Sequence, residues 1–283
     1  MTEQRPRPTV RRRRLSRELR ALREVAGLTI DQVTRELEWG KGKLSRIENN
    51  DWRRPSVQDI RVLLDVYEVT DPERREALLQ LTRDSRQRGW WASYQDIFQN
   101  PTYTGFEQEA SRVLTYEPTT IPGLLQTPAY AESLIRAGLI QDGDEVARKV
   151  ELRIERQRVL EHADPLHLWA VIDETALLRP FGSLQDQREQ LQRLLRAQEA
   201  EHINLQILPH RVGLHPAMAG SFAILEFSEE PSIVFLETGL HELYLEAAED
   251  VNHHALVFRH LNANALSPLD TCKYITAKLR ELH

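Results

Sequence analysis

The sequence predicts a mixed fold: an all-helical domain of five helices, then an α+β domain whose small mixed sheet is flanked by helices. Three observations predict it. Over residues 15–82, apolar residues recur at helical spacing between cap signals. Beyond residue 104, short apolar or alternating runs interleave with long amphipathic stretches. Charge is also segregated: residues 1–54 hold 15 Lys and Arg against 8 Asp and Glu, and the rest hold 22 against 35. A basic front and an acidic back would orient the molecule in the field of a polyanion.

Composition excludes several classes. With 283 residues, 41% hydrophobic and 28% charged, the chain is long enough for two domains with ordinary cores. It has no apolar run of about 18 residues, so no membrane span is expected. Arg5, Arg7 and Arg11 to Arg14 open the chain without a following apolar stretch, unlike a secretory signal. A single cysteine, Cys272, supports neither an internal disulfide framework nor a Cys-rich zinc site. A cytoplasmic protein is expected.

Residues 1–14 read as a flexible basic arm, suited to a minor groove or phosphates, or else a solubilising tail. The first helix presents Leu15, Leu19, Leu22, Val25 and Ala26, and Gly27 ends it. Thr29 and Gln32 form a capping-box pattern for a second helix with Ile30, Val33 and Leu37 inward. Trp39-Gly40 breaks the pattern, and Gly40 is expected to cap a third helix with Leu44 and Ile47 inward. Its outward face carries Lys41, Lys43, Arg46 and Asn49. A short helix pinned by its apolar side, with a basic outer side, suits insertion into a DNA major groove. Glu38 is expected to need a left-handed backbone or an altered turn. Gly42 is expected inside the third helix, where it would cost about 1 kcal/mol. Asn50 and Arg53 follow as phosphate contacts, Ser56 caps a fourth helix, and Asp71-Pro72 opens a fifth.

Residues 15–69 thus resemble the lambda-repressor/Cro-type (XRE) helix-turn-helix domain. The resemblance rests on Leu28-Thr29, the helix from Gln32 to Leu37, the turn Glu38-Trp39-Gly40, and Lys43-Leu44-Ser45-Arg46-Ile47-Glu48-Asn49. Glu38 replaces the usual turn glycine and Thr34 a small alanine. With the resemblance, the expected DNA contacts are Thr29, Gln32, Lys41, Gly42, Lys43, Ser45, Arg46, Asn49, Asn50 and Arg53. Expected partners are double-stranded DNA and a second copy of the chain.

Residues 83–104 form a connector rich in aromatics: Trp90, Trp91, Tyr94, Phe98 and Tyr103. Flexible linkers are Gly/Ser-rich, so this one is expected to dock within the chain or on a partner subunit.

Residues 105–283 form the second domain. Residues 106–116 read as helix, and a Pro/Gly-rich stretch, 116–131, turns into a helix over 127–137 ended by Gly138. That stretch, Trp90-Trp91 with Tyr94, and residues 173–179 resemble a group of actinobacterial XRE regulators. Their C-terminal domain is described as antitoxin-like, and they are encoded beside a small partner protein. Helix 144–162 alternates Arg148, Arg153, Arg156 and Arg158 with Glu145, Glu151, Glu155 and Glu161, which reads as i,i+4 pairing on a solvated face. Strands are expected at 166–172, 203–208, 221–227, 232–237 and 242–245. Helices are expected at 184–201, 247–261 and 268–282, the last capped by Ser267.

Asp173, Glu174 and Glu237 fall at predicted strand ends, and His210 and His215 in the loop 209–220, as a possible ligand or partner site. The competing reading has Asp173 capping the next helix and Glu174 pairing with Arg179. There is no HExxH or paired Cys/His spacing, no G-x-S-x-G, no P-loop and no dinucleotide fingerprint, so no metal, cofactor or enzymatic activity is expected. The sequence therefore points to a cytoplasmic, nucleoid-associated, dimeric DNA-binding regulator whose second domain senses a ligand or a small neighbour-encoded protein. Two alternatives stay open: an antitoxin-like interaction module with autoregulatory DNA binding, and a regulator whose second domain is an enzyme.

Overall fold

A computed structural model of the chain describes residues 10–40, 42–51, 56–85, 94, 102–238 and 241–282. The chain divides into two compact units, residues 1–93 with 100–106, and residues 94–99 with 107–283. Residues 1–9 of the expected arm lie outside the described residues, as do Trp90, Trp91 and Phe98 of the connector.

The first unit contains helices α1 (Val10–Val25), α2 (Ile30–Glu36), α3 (Lys43–Glu48), α4 (Val57–Val66) and α5 (Pro72–Asp84). α1 begins earlier than expected, so Arg11 to Arg14 are helical and Arg12 is buried rather than part of an arm. Side chains at helical spacing converge on one core: Leu15, Leu19, Val33, Leu44, Ile47, Ile60, Leu63, Leu64 and Leu78. Three predicted caps form, with Thr29 and Gln32 bonding reciprocally, Ser56 accepting from Asp59 N, and Asp71 accepting from Glu73 N.

α6 (Thr102–Glu109) precedes a six-stranded mixed sheet, larger than the small sheet expected. Its strands are β1 (Arg112–Glu117), β2 (His167–Asp173), β3 (Ile203–Leu208), β4 (Phe222–Glu226), β5 (Ile233–Thr238) and β6 (His241–Leu245), in the order β3-β2-β1-β4-β5-β6. β1, β2 and β3 run parallel, and β4, β5 and β6 continue the sheet antiparallel. β1 corrects the expected helix over 106–116: the helix stops at Glu109, and Val113, Thr115 and Tyr116 form an interior strand. β-branched and aromatic residues buried on both faces favour that outcome once β2 and β4 flank the segment.

The helices of this unit are α7 (Pro128–Ala137), α8 (Gly143–Gln157), α9 (Glu174–Leu178), α10 (Leu184–Ala197), α11 (Ala248–Asn264) and α12 (Pro268–Glu281). α11 buries Val257, Phe258 and Leu261 against Tyr116, Val171, Ile224 and Val234. No helix among the described residues is long and apolar enough to cross a membrane.

Candidate nucleic-acid interface and the polar end of the sheet

The helix-turn-helix is built by its turns. α2 ends with Glu38 at φ 52°, whose N–H donates to Arg35 O while Trp39 N donates to Thr34 O. α3 ends in the same way: Asn50 stands at φ 58°, with Asn50 N to Ile47 O and Asp51 N to Arg46 O. These are Schellman endings, normally finished by glycine, and Gly27 and Glu68 finish α1 and α4 by the same pattern. Of the two turns expected at Glu38, the structure takes the left-handed one.

Gly42 corrects the sequence reading. It is the N-cap of α3, not an interior residue, and its φ of 89° is a conformation that favours glycine. Gly40 is not the cap. α3 has six residues, well below the roughly 12–15 that an isolated helix needs in water. It is helical because Leu44 and Ile47 are buried, each contributing about 1.5–3 kcal/mol.

The outer face of α3 presents Arg46 and Asn49, both exposed, and Ser45 one turn before Asn49 accepts from its Nδ2 at 3.2 Å. Arg46 makes no ion pair among the described residues. Lys43 is committed inside the unit: its Nζ lies 2.7 Å from Asp59 Oδ1 and 3.9 Å from the Trp39 ring centroid. Gln32 uses its Oε1 to accept from Thr29 N and Oγ1, which leaves its amide nitrogen outward on an exposed residue. Asn50 turns inward instead, with a buried Oδ1 that has no partner among the described residues, while its carbonyl accepts from Arg12. Lys41 and Arg53 lie outside the described residues.

A residue pair that sequence reasoning missed holds α3 in place. Arg23 on α1 grips Glu48 with Nε to Oε1 at 2.7 Å and Nη2 to Oε2 at 2.9 Å, and its Nη1 donates to Leu28 O. The side chains are 11% and 3% exposed. The hydrogen bond to Glu48 holds the guanidinium pKa above its ordinary value. Ser16 Oγ adds a bond to Ile47 O from the same helix. α3 is thus a fixed wedge, as groove insertion requires.

In the second unit, the structure brings Asp173, Glu174 and His210 together. Asp173 caps α9 by accepting from Thr175 N at 2.8 Å. Glu174 accepts from Tyr274 Oη at 2.6 Å and His210 N at 2.8 Å, so it ties α9 to α12 and to the loop after β3 instead of pairing with Arg179. His210 Nε2 lies 3.4 Å from Asp173 Oδ1 and 2.8 Å from Thr175 Oγ1. His215 packs edge-on to Tyr116, 3.3 Å from its hydroxyl, and burial lowers its pKa. No group of three or more His, Cys, Asp or Glu among the described residues has metal-binding geometry.

Glu237 is elsewhere. The register aligns Thr115, Ala223, Phe235 and Tyr244 across four strands. Two residues further along on the same face stand Glu117 on β1, Glu237 on β5 and, directly opposite the latter, Glu242 on β6. Burial first, and then the charge of Glu237, raise the Glu117 pKa to about 7. α8 brings two guanidinium groups to this end of the sheet, so the expected solvated arginine face is corrected. Arg156 is held bidentately by Glu107, whose side chain is 1% exposed. Arg153 donates to Gln126 Oε1 at 2.9 Å and makes no ion pair among the described residues. Burial, and then the neighbouring Arg156, lower its pKa to about 10.

The Pro/Gly-rich stretch is the other wall of this site. Its turn, Gly123–Leu125, is held by buried glutamines. Gln157 Nε2 donates to Gly123 O and Gln126 O, Gln190 bonds both Thr127 N and Leu125 O, and Arg193 donates to Gln157 Oε1. A Cβ on Gly123 would stand 3.2 Å from both Arg153 Nη1 and Arg156 Nη2, so glycine lets the turn sit against the arginines. One signal in the sequence pointed here: Gln157 falls in the apolar stripe of α8, beside Val146.

Comparison with known proteins agrees with this division. Residues 14–78 match a family model described as a helix-turn-helix domain, as DNA-binding regulators carry. Searches of curated proteins and of solved structures gave no match. Residues 101–277, more than half of the sequence, match a second model, and the chain accordingly belongs to the family described as a domain of unknown function (DUF5753).

Proposed function

We propose that this protein is a cytoplasmic, dimeric, sequence-specific transcriptional regulator of the XRE type. α3 enters the major groove, and Arg46 and Asn49 reach base edges or phosphates. Gln32 anchors α2 at the backbone, and Thr29, Gly42, Ser45 and the neighbouring Lys41 and Arg53 complete the contact surface, whereas the inward-turned Asn50 leaves it. The observation that carries this reading is the exposed Arg46, without an ion pair among the described residues, on a helix fixed from behind by Leu44, Ile47 and the Arg23–Glu48 pair. The second unit acts as the input domain, binding a small molecule or a small partner protein and performing no chemistry of its own.

The test is fluorescence anisotropy of the full chain on DNA from upstream of its gene against scrambled DNA, across a salt series. Tight binding to the former, with a salt slope of several released counterions, supports the reading. Equal, weak binding to both refutes autoregulation and favours an interaction module. Arg46→Ala should weaken specific binding about tenfold or more while leaving the melting temperature unchanged, since an exposed base contact is worth roughly 1–3 kcal/mol. Unchanged affinity removes Arg46 from the interface.

A further inference from the structure

The polar end of the sheet has a charge pattern that the fold does not use up. Glu107 is consumed by Arg156, and Glu242 accepts from Tyr244 Oη at 2.7 Å. Arg153 is different. Its bond goes to a neutral amide, although Glu107, Glu117 and Glu237 all lie within electrostatic reach. A guanidinium withdrawn from bulk water ordinarily takes a carboxylate partner. Glu117 has a hydroxyl neighbour, Thr120 Oγ1, at 3.5 Å, and Glu237 is exposed.

Three features make this a built site. Gly123 lets the turn backbone pack directly against Arg153 and Arg156, which fixes where the two guanidinium groups stand, and Gln126 and Gln157 hold that backbone from behind. Glu117 and Glu237 share one face and one end of the sheet, two strands apart, a separation of about 10 Å. β1 is the middle of the β3-β2-β1-β4 run where parallel pairing changes to antiparallel, and Glu117 is its C-terminal residue. The carboxyl ends of parallel strands are where open sheets place ligands.

We propose that this end of the sheet binds a small zwitterionic ligand of the amino-acid class. Its carboxylate sits on Arg153, and its ammonium sits between Glu117 and Glu237. The two acidic groups repel a dianion such as phosphate, and the guanidinium repels a simple cation. A molecule carrying both charges on adjacent carbons meets both ends at once. The inference gives a ligand class to the input domain and rests on that reading for its regulatory consequence, not for the binding itself.

The experiment is calorimetric titration of the full chain with each standard L-amino acid up to about 10 mM, with acetate and methylammonium as half-ligands. One or a few amino acids should bind saturably, and both half-ligands should bind at least tenfold more weakly. Arg153→Met and Glu117→Gln should each weaken the bound amino acid about tenfold or more. Glu237→Gln, at an exposed position, should do the same with the melting temperature kept, which covers the case of an Arg153 variant that does not fold. Absence of saturable binding by every amino acid overturns the proposal. So does an unchanged Kd in Glu237→Gln together with Glu117→Gln. DNA affinity measured on the same samples separates the two readings: amino-acid binding without DNA binding sinks the regulator, and the reverse sinks the ligand.

Discussion

In the helical unit, α1 and α3 are joined beside an apolar core by the Arg23–Glu48 ion pair and by the Ser16 hydroxyl on Ile47 O. In the sheet unit, α8, α10 and the 123–125 turn meet through a lattice of buried amides and guanidinium groups. The first arrangement leaves the polar groups of interest, Arg46 and Asn49, on the outside. The second turns them inward. A wedge that reads a large rigid partner needs its polar groups exposed on a stiff support. A pocket for a small molecule needs them half-withdrawn from water, where each hydrogen bond is stronger and each loose end is costlier.

The comparison can be broken at its strongest points. Glu48→Ala leaves the Arg23 guanidinium uncompensated in the interior and should destabilise the helical unit by about 3–5 kcal/mol, read as the loss of its denaturant transition. A loss below about 1 kcal/mol would show that the pair is not what fixes α3. Gln190→Leu strands Thr127 N and Leu125 O and should cost the sheet unit about 2–4 kcal/mol, with DNA affinity untouched.

Glu117 gives a test in pH. Its ionised form is penalised in the folded state, so the stability it contributes is fully present below about pH 4.5 and is lost as pH rises through about 7. Glu117→Gln should therefore be more stable than the parent at pH 8, by up to about 3 kcal/mol before solvent screening, and should converge with it near pH 4.5. Parallel melting curves across that window would contradict the shift. The smallest effect is at the turn: Glu38→Gly relieves a left-handed non-glycine residue and should raise stability by about 1 kcal/mol in thermal melts.

Sequence reasoning read the helical unit well because its information is local. Thr29 with Gln32, Ser56 and Asp71-Pro72 declare their helices within four residues, and of the two turns left open at Glu38 the left-handed one forms. It placed Gly42 two residues too deep, since two glycines so close together offer two helix starts. β1 escaped because its character depends on strands far along the chain: Val113 is buried by pairing with Leu168 and Leu225. The arginines of α8 escaped because an Arg/Glu alternation looks the same whether it faces water or a glycine turn. Glu237 was picked out by its place at a strand end, but its neighbours Glu117 and Arg153 come together only through the sheet register and α8.

That difference in range also sets an order in time. The helical unit closes through short connections and is synthesised first, which favours rapid folding as it emerges. β1 cannot complete its pairing until β2 and then β4 have been made. A nascent chain therefore holds a finished helix-turn-helix while the central strand of its sheet unit still has open edges. The interval of vulnerability to wrong strand pairing spans the synthesis of residues 117 to 226.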